Sequence, residues 1–182
     1  MRELVERAKA GDHGAFSELG RIWIDRLYAV AFLVLRDPDR ARDATQDALF
    51  ACWRDIRALR DPDRFEPWLR RILLNACYRE AHRERARTVL EQSASWTRET
   101  DLDPQAAYAD RDELERGFRR LTTEQRALIA LHFYEGLPIT EVAATLGVPV
   151  GTVKSRLHRA TQELRASLAT EARRPLTEGR PA

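Results

Sequence analysis

Two stretches of this 182-residue chain gather side chains able to hold a nucleic acid. In the first, Thr152, Lys154, Ser155, Arg156, His158 and Arg159 all lie off an apolar stripe made by Val150, Val153, Leu157, Ala160 and Leu164. A point-charge ammonium, planar guanidinium forks and short hydroxyls are the groups that contact phosphates and base edges. In the second, residues 68–87 carry Arg70, Arg71, Arg79, Arg83, Arg85 and Arg87 against Glu80 and Glu84 alone. Each arginine–phosphate contact steepens the salt dependence of binding. The plainer reading of that stretch is a solvated helix with some glutamate–arginine pairs one turn apart. Asn75 stands where the segment passes from apolar to basic, and its amide can hydrogen-bond a base edge.

Bond-making chemistry has no comparable support. The chain lacks a phosphate-binding glycine loop, a His-Glu-x-x-His pair and a nucleophile elbow, and His13, His82, His132 and His158 are scattered. Cys52 and Cys77 form no Cys-x-x-Cys or Cys/His cluster, so they read as small buried residues. The expectation is a protein that is not an enzyme and needs neither metal nor cofactor.

The elements that must position these residues are helical. From Ala15, the apolar residues Phe16, Leu19, Trp23, Leu27, Val30, Ala31 and Val34 recur three or four apart, one stripe on a helix of about five turns. Asp37-Pro38 reads as a cap followed by proline at the first helical position. The next helix places Ala41, Ala44, Ala48, Leu49, Cys52, Trp53 and Ile56 on its buried side. A loop at Asp61-Pro62-Asp63 precedes a helix that starts near Glu66-Pro67 and runs to Arg87. The aromatics Trp23, Trp53 and Trp68 are expected in the core. Periodicity then fails, and the composition marks a linker over 89–103 that includes Trp96.

A second lobe restarts at Asp103-Pro104. Thr122-Thr123-Glu124-Gln125 fits a capping box, and the helix after it stops at Gly136. Ile139, Val142, Ala143 and Leu146 give a two-turn helix that ends at Gly147. Val148-Pro149 turns the chain into the helix bearing Lys154 and Arg159. Ala143 is small where the two helices cross, and the unit is a helix-turn-helix, whose second helix enters the major groove. The fold class expected is all-α, two small helical domains over 1–88 and 104–170, with a frayed tail over 171–182. Charge follows that division: +3 over 1–88, −3 over 89–111 and +2 over 112–182. Of the 31 basic residues 29 are arginine, which suits phosphate and guanine but also follows from a GC-rich genome. No apolar run approaches the roughly 20 residues of a membrane span, and no signal-peptide pattern opens the chain, so a cytoplasmic protein without membrane insertion is expected.

The run GVPVGTVKSRLHRA resembles the region-four helix-turn-helix of sigma-70 family factors of the extracytoplasmic-function (ECF) group, although Gly-Thr-Val-Lys also occurs in response regulators. The first lobe resembles region two of the same family. Asp43, Gln46, Asp47 and Trp53 are similar to its Asp-x-x-Gln-Glu-(x)4-Ala-Trp pattern, with aspartate in place of glutamate at 47 and Cys52 in place of alanine. Phe65-(x)2-Trp68-Leu69-(x)2-Ile72-(x)2-Asn75 matches the family's pattern at the start of the helix that reads the minus-ten element.

The resemblance implies that Asp43, Gln46, Asp47 and Trp53 dock on the β′ clamp of core RNA polymerase, whose β flap is a further partner. It also implies that Leu59, Arg64, Phe65, Asn75, Arg79 and Arg83 capture minus-ten DNA, with Leu59 standing where relatives often carry an aromatic. Thr152, Lys154, Ser155, Arg156, His158 and Arg159 would read the minus-thirty-five element. Promoter DNA and an anti-sigma factor are the other implied partners. A self-sufficient helix-turn-helix repressor or activator is the rival, and it leaves the first lobe without a task.

Overall fold

Carboxylates start the two helices that frame the first lobe. Asp12 accepts a hydrogen bond from the Ala15 amide (3.0 Å) and opens α2 (His13–Leu35); Asp37 accepts from the Arg40 amide (2.9 Å) and opens α3 (Pro38–Asp55) with Pro38 in the first turn. In the computed structural model, which describes residues 1–94 and 109–171, with side chains over 1–87 and 115–168, α1 (Arg2–Lys9) precedes them. Short 3-10 turns at Ile56–Ala58 and Pro62–Arg64 then lead into α4 (Phe65–Ala94). The Asp61 loop is thus a capped turn, its carboxylate accepting from the Asp63 amide at 3.0 Å.

Helix α4 passes the boundary expected at residue 88 and takes in the first part of the expected linker. Residues 88–94 contain no glycine or proline, so nothing in their sequence stops a helix already nucleated upstream. Trp96, the Asp103-Pro104 pair and the tail 172–182 lie outside the described residues.

The second lobe contains α5 (Ala109–Arg120), α6 (Thr123–Ile129), a π-helical turn (Ala130–Tyr134), α7 (Ile139–Leu146) and α8 (Val150–Glu171). The capping box forms in both directions: the Gln125 amide donates to Thr122 Oγ1 (3.2 Å), and the Thr122 amide donates to Gln125 Oε1 (2.7 Å). Gly147 ends α7 at φ 67°, and Ala143 is buried at the crossing, its carbonyl accepting from the Val148 amide (3.1 Å). The described residues contain helices and turns and no strand.

Alanines and a cysteine on α3 (Ala41, Ala44, Ala48, Cys52) let that helix approach α2 and α4, whose Leu19, Leu27, Leu69 and Leu73 fill the space between. Val153, Leu157 and Ala160 of α8 are buried, as are Val142 and Leu128 on α7 and α6, the helices that α8 packs against in the second lobe. Two expected core residues turn outward. Trp53 is 48% exposed because it follows Cys52 on the helix, and Cys52 takes the inward position. Val150, the first residue of α8, is 38% exposed. Trp23 is buried, as expected, and Trp68 is half-buried, packed against the core rather than within it.

The two lobes touch. Helix α2 packs on α6 and the π-helical turn, and α4 packs on α7.

Candidate nucleic-acid interface

The helix-turn-helix presents its polar residues as their spacing requires. With Val153, Leu157 and Ala160 facing inward, Lys154, Ser155, Arg156, His158 and Arg159 are all exposed and Thr152 is half-buried. The Ser155 hydroxyl donates to the Thr152 carbonyl at 3.1 Å, which leaves its lone pairs for an incoming donor. The Pro149 carbonyl accepts from the Thr152 and Val153 amides (2.9 and 3.2 Å), so the first turn of α8 is fixed to the preceding turn. Four exposed basic or imidazole side chains therefore project from the end of α8 that a major groove would receive.

On α4 an exposed strip runs along Arg71, Asn75 and Arg79, successive residues one turn apart. Arg71 belongs with Asn75 on this geometry, although the family pattern does not mark it; its spacing of four was the available signal. Arg79 and Arg83 reach Asp47 of α3 at 4.0 and 3.9 Å, and Arg83 also pairs with Glu80 at 3.0 Å. These arginines are half or more exposed, so the pairs exchange readily for phosphates in water.

Two residues expected at the captured base are interior. Leu59 is 7% exposed and Phe65 1% exposed, Phe65 making edge contact with Trp23 at 6.4 Å. Burial of two apolar side chains closes the 56–64 loop onto the core, and its exposed charged side chains are Arg57, Arg60 and Arg64 together with Asp61 and Asp63. Arg70 also leaves the set of DNA-facing arginines. Its side chain is 9% exposed, its Nε donates to Glu135 (2.8 Å), and its Nη2 donates to Glu66 (3.2 Å).

The outer face of α3 carries Asp43, Gln46, Asp47, Phe50 and Trp53. Phe50 is 60% exposed with its ring 6.1 Å from Trp53, and both line a shallow recess of about 380 Å³ with Phe16, Gln46, Asp47 and Leu49. Sequence patterning did not single out Phe50; its place seven residues after Asp43, two turns along one face, is the signal that finds it. Two exposed rings beside two carboxylates suit a partner that is both apolar and basic.

The thiols take no part. Burial pushes both Cys52 and Cys77 up to about 12, so they stay protonated at neutral pH. Among the described residues no group of His, Cys, Asp and Glu side chains could hold a metal ion, and no helix is long and apolar enough to cross a membrane.

Comparison with known proteins assigns both lobes to one family. The family model for sigma-70 region 2 matches residues 21–88, and that for sigma-70 region 4 matches residues 111–164. ECF RNA polymerase sigma factor SigM of Mycobacterium tuberculosis is 34% identical over 163 residues, 89% of this chain and 81% of the relative. ECF RNA polymerase sigma factor SigE of Mycolicibacterium smegmatis is 34% identical over 168 residues, 87% of this chain, which spans only 65% of that longer relative. Among solved structures, CnrH in complex with the cytosolic domain of CnrY has a TM-score of 0.67 at 29% identity, covering 93% of this chain and 97% of that one. The sigma factor RpoE of Bartonella quintana, bound to the anti-sigma factor NepR, also has a TM-score of 0.67, at 27% identity, covering 86% and 98%.

Proposed function

Because the chain belongs to the ECF group of the sigma-70 family, we propose that it binds core RNA polymerase and directs it to promoters by opening one element and gripping another. The outer face of α3, through Asp43, Gln46, Asp47, Phe50 and Trp53, docks on the β′ clamp. Arg64, Arg71, Asn75, Arg79 and Arg83 then hold the separated minus-ten strand. Extruding a base costs a few kcal/mol, which the Asn75 amide and the surrounding charge must recover once the base leaves the stack. Leu59 and Phe65 act beneath this surface by holding the 56–64 loop to the core. Helix α8 reads minus thirty-five through Thr152, Lys154, Ser155, Arg156, His158 and Arg159, while the β flap retains the second lobe near upstream DNA.

The protein makes and breaks no bond itself and works in the cytoplasm, where its polymerase is. An anti-sigma factor that covers the α3 and α4 faces is the expected inhibitor, by likeness to factors solved with such partners.

The observation that carries this reading is the presence, on one chain and in the family's order, of an exposed acidic-aromatic helix face, an arginine-asparagine strip and a helix-turn-helix. Run-off transcription from a randomised promoter library with purified core enzyme tests it. The expected outcome is initiation that requires the chain and enriches two elements about 25 base pairs apart, or about 85 Å at 3.4 Å per pair. Tight binding to duplex with no polymerase-dependent initiation would establish the repressor reading instead.

A further inference from the structure

Gly151 has no explanation within the protein. It is the second residue of the 22-residue helix α8, and glycine is a poor helix former. One reason to keep a glycine is a left-handed backbone, but the positive-φ glycines among the described residues are Gly11, Gly136 and Gly147. Another is crowding. At Gly117 a Cβ would stand 2.8 Å from Leu164 Cδ1, whereas at Gly151 it would meet no atom within 4 Å. The remaining physical reason is that something outside the chain comes close to the backbone.

Gly20 is equally open, yet it is half-buried in the middle of α2. Gly151 differs in its surroundings. Val150 beside it is apolar and exposed, against the expectation from the apolar stripe. A single exposed valine is ordinary; its position is not. Residues four apart share a face, so Val150 continues the exposed row of Lys154 and His158, and Gly151 continues that of Ser155 and Arg159. The Pro149 carbonyl, accepting from the Thr152 and Val153 amides, fixes the turn in which both stand. The two rows that face a major groove thus begin with an isopropyl group and a bare backbone.

The major-groove edges of guanine, cytosine and adenine offer hydrogen-bond donors and acceptors, and thymine alone adds a methyl group. A valine set against a polar edge leaves that edge unsatisfied. Set against the methyl, it buries apolar surface on both sides. We propose that Val150 reads the C5 methyl of one thymine in the upstream element, and that Gly151 is bare so that this base pair can close on the backbone of α8. This rests on the reading above, in which α8 recognises minus thirty-five, and adds to it a residue that selects the base.

The test uses the full chain with core polymerase on promoters recovered from the randomised library. Those promoters should carry a thymine, on one strand or the other, at a fixed position of the upstream element. Exchanging it for deoxyuridine removes the methyl and keeps every hydrogen-bonding atom. With the unaltered chain, initiation at sub-saturating holoenzyme should fall about fourfold, the factor set by burial of one methyl-sized group. Val150→Ala should show a similar fall on the thymine template and no further fall on the uracil one, because the two losses share one contact. Gly151→Ala should lower initiation at least fivefold on the thymine template. Its urea midpoint should stay at or above that of the unaltered chain, since the added Cβ touches nothing in the protein. That separates a clash in the groove from a folding defect. A library without a fixed thymine would overturn the methyl contact, as would a uracil exchange that affects the unaltered chain and Val150→Ala equally. Undiminished initiation by Gly151→Ala would overturn the close approach. In each of these cases initiation itself still upholds the polymerase role. No initiation by the unaltered chain would instead overturn the proposed function, and this inference with it.

Discussion

Asp47 stands where two surfaces meet. It lies on the α3 face with Gln46 and Phe50, and its carboxylate also stands 4.0 and 3.9 Å from Arg79 and Arg83 of α4. Asp47→Arg therefore replaces an attraction with a three-arginine cluster on the docking face. The substitution is half-exposed, where changes usually alter stability by no more than about 0.5 kcal/mol. We expect co-migration with core polymerase on native gels to be lost while far-ultraviolet circular dichroism stays at the wild-type level. Phe50→Ser should weaken the same complex by about tenfold, one apolar anchor being worth roughly 1–2 kcal/mol at an interface. Retained core binding in both variants would move the docking face elsewhere. The family resemblance singled out Asp43, Gln46, Asp47 and Trp53, which lie together on the outward side of α3, whereas apolar patterning assigned Trp53 to the core and passed over Phe50. Large aromatics on a helix are usually buried, but Ala41, Ala44, Ala48 and Cys52 form the inner side of α3 and turn Trp53 outward. Glu135 was illegible for a stronger reason. Its partners stand 109 and 65 residues away, and a glutamate before a glycine at a turn has no local feature that separates it from a solvated one.

Local signals fared best at the level of helices because caps act over three or four residues. Asp37-Pro38, the Thr122–Gln125 box and Gly147 all do what their types dictate. Gly147 offers a clean measurement: a Cβ there meets no atom within 4 Å, so a substitution feels only the backbone strain of φ 67°. Gly147→Ala should cost about 1–2 kcal/mol, the usual penalty for a side chain in the left-handed region, and Gly147→Asn distinctly less. Urea unfolding of both variants checks the ordering; equal costs would show that the turn relaxes. Asp37 makes a pH prediction. The Arg40 amide, more than any other group, holds its carboxyl below the ordinary value of 3.8. A carboxyl depressed on folding contributes stability that is complete above its unfolded value and is lost as pH falls through its folded value. Asp37→Asn keeps the accepting oxygen and removes the titration. It should flatten the loss of stability below pH 3.8 and cost no more than about 1 kcal/mol at pH 7, where a partly exposed pair with Arg40 is given up. Helix α4 was read as ending where its hydrophobic stripe fades. Amphipathicity reports what a helix buries, and a helix continues past its buried face while nothing breaks it.

At the scale of the whole molecule, the two-lobe organisation was legible because each lobe carries its own apolar periodicity, whereas the contact between the lobes was not, since it depends on isolated charges. The chain between Ala94 and Ala109 must satisfy both arrangements: lobes in contact, and lobes on separate promoter elements. Fifteen residue steps reach at most about 50 Å. Beyond Asn75, the remaining 19 residues of α4 at 1.5 Å each contribute about 28 Å more along its own axis. Together these come close to the roughly 85 Å between elements, so the tether is close to its minimum length. That makes the response to length asymmetric. Inserting ten glycine and serine residues between 95 and 108 dilutes one lobe around the other by about twofold, following the −3/2 power of linker length. Initiation from a promoter that needs both elements should fall by no more than that factor. Deleting eight residues from the same span removes about 26 Å of reach, and such initiation should then collapse while binding to core polymerase through α3 is kept. Run-off transcription with and without an intact minus-thirty-five element measures both variants. A deletion that leaves dependence on both elements intact would mean that polymerase brings the two DNA sites closer than straight duplex allows, and that the tether carries no geometric demand.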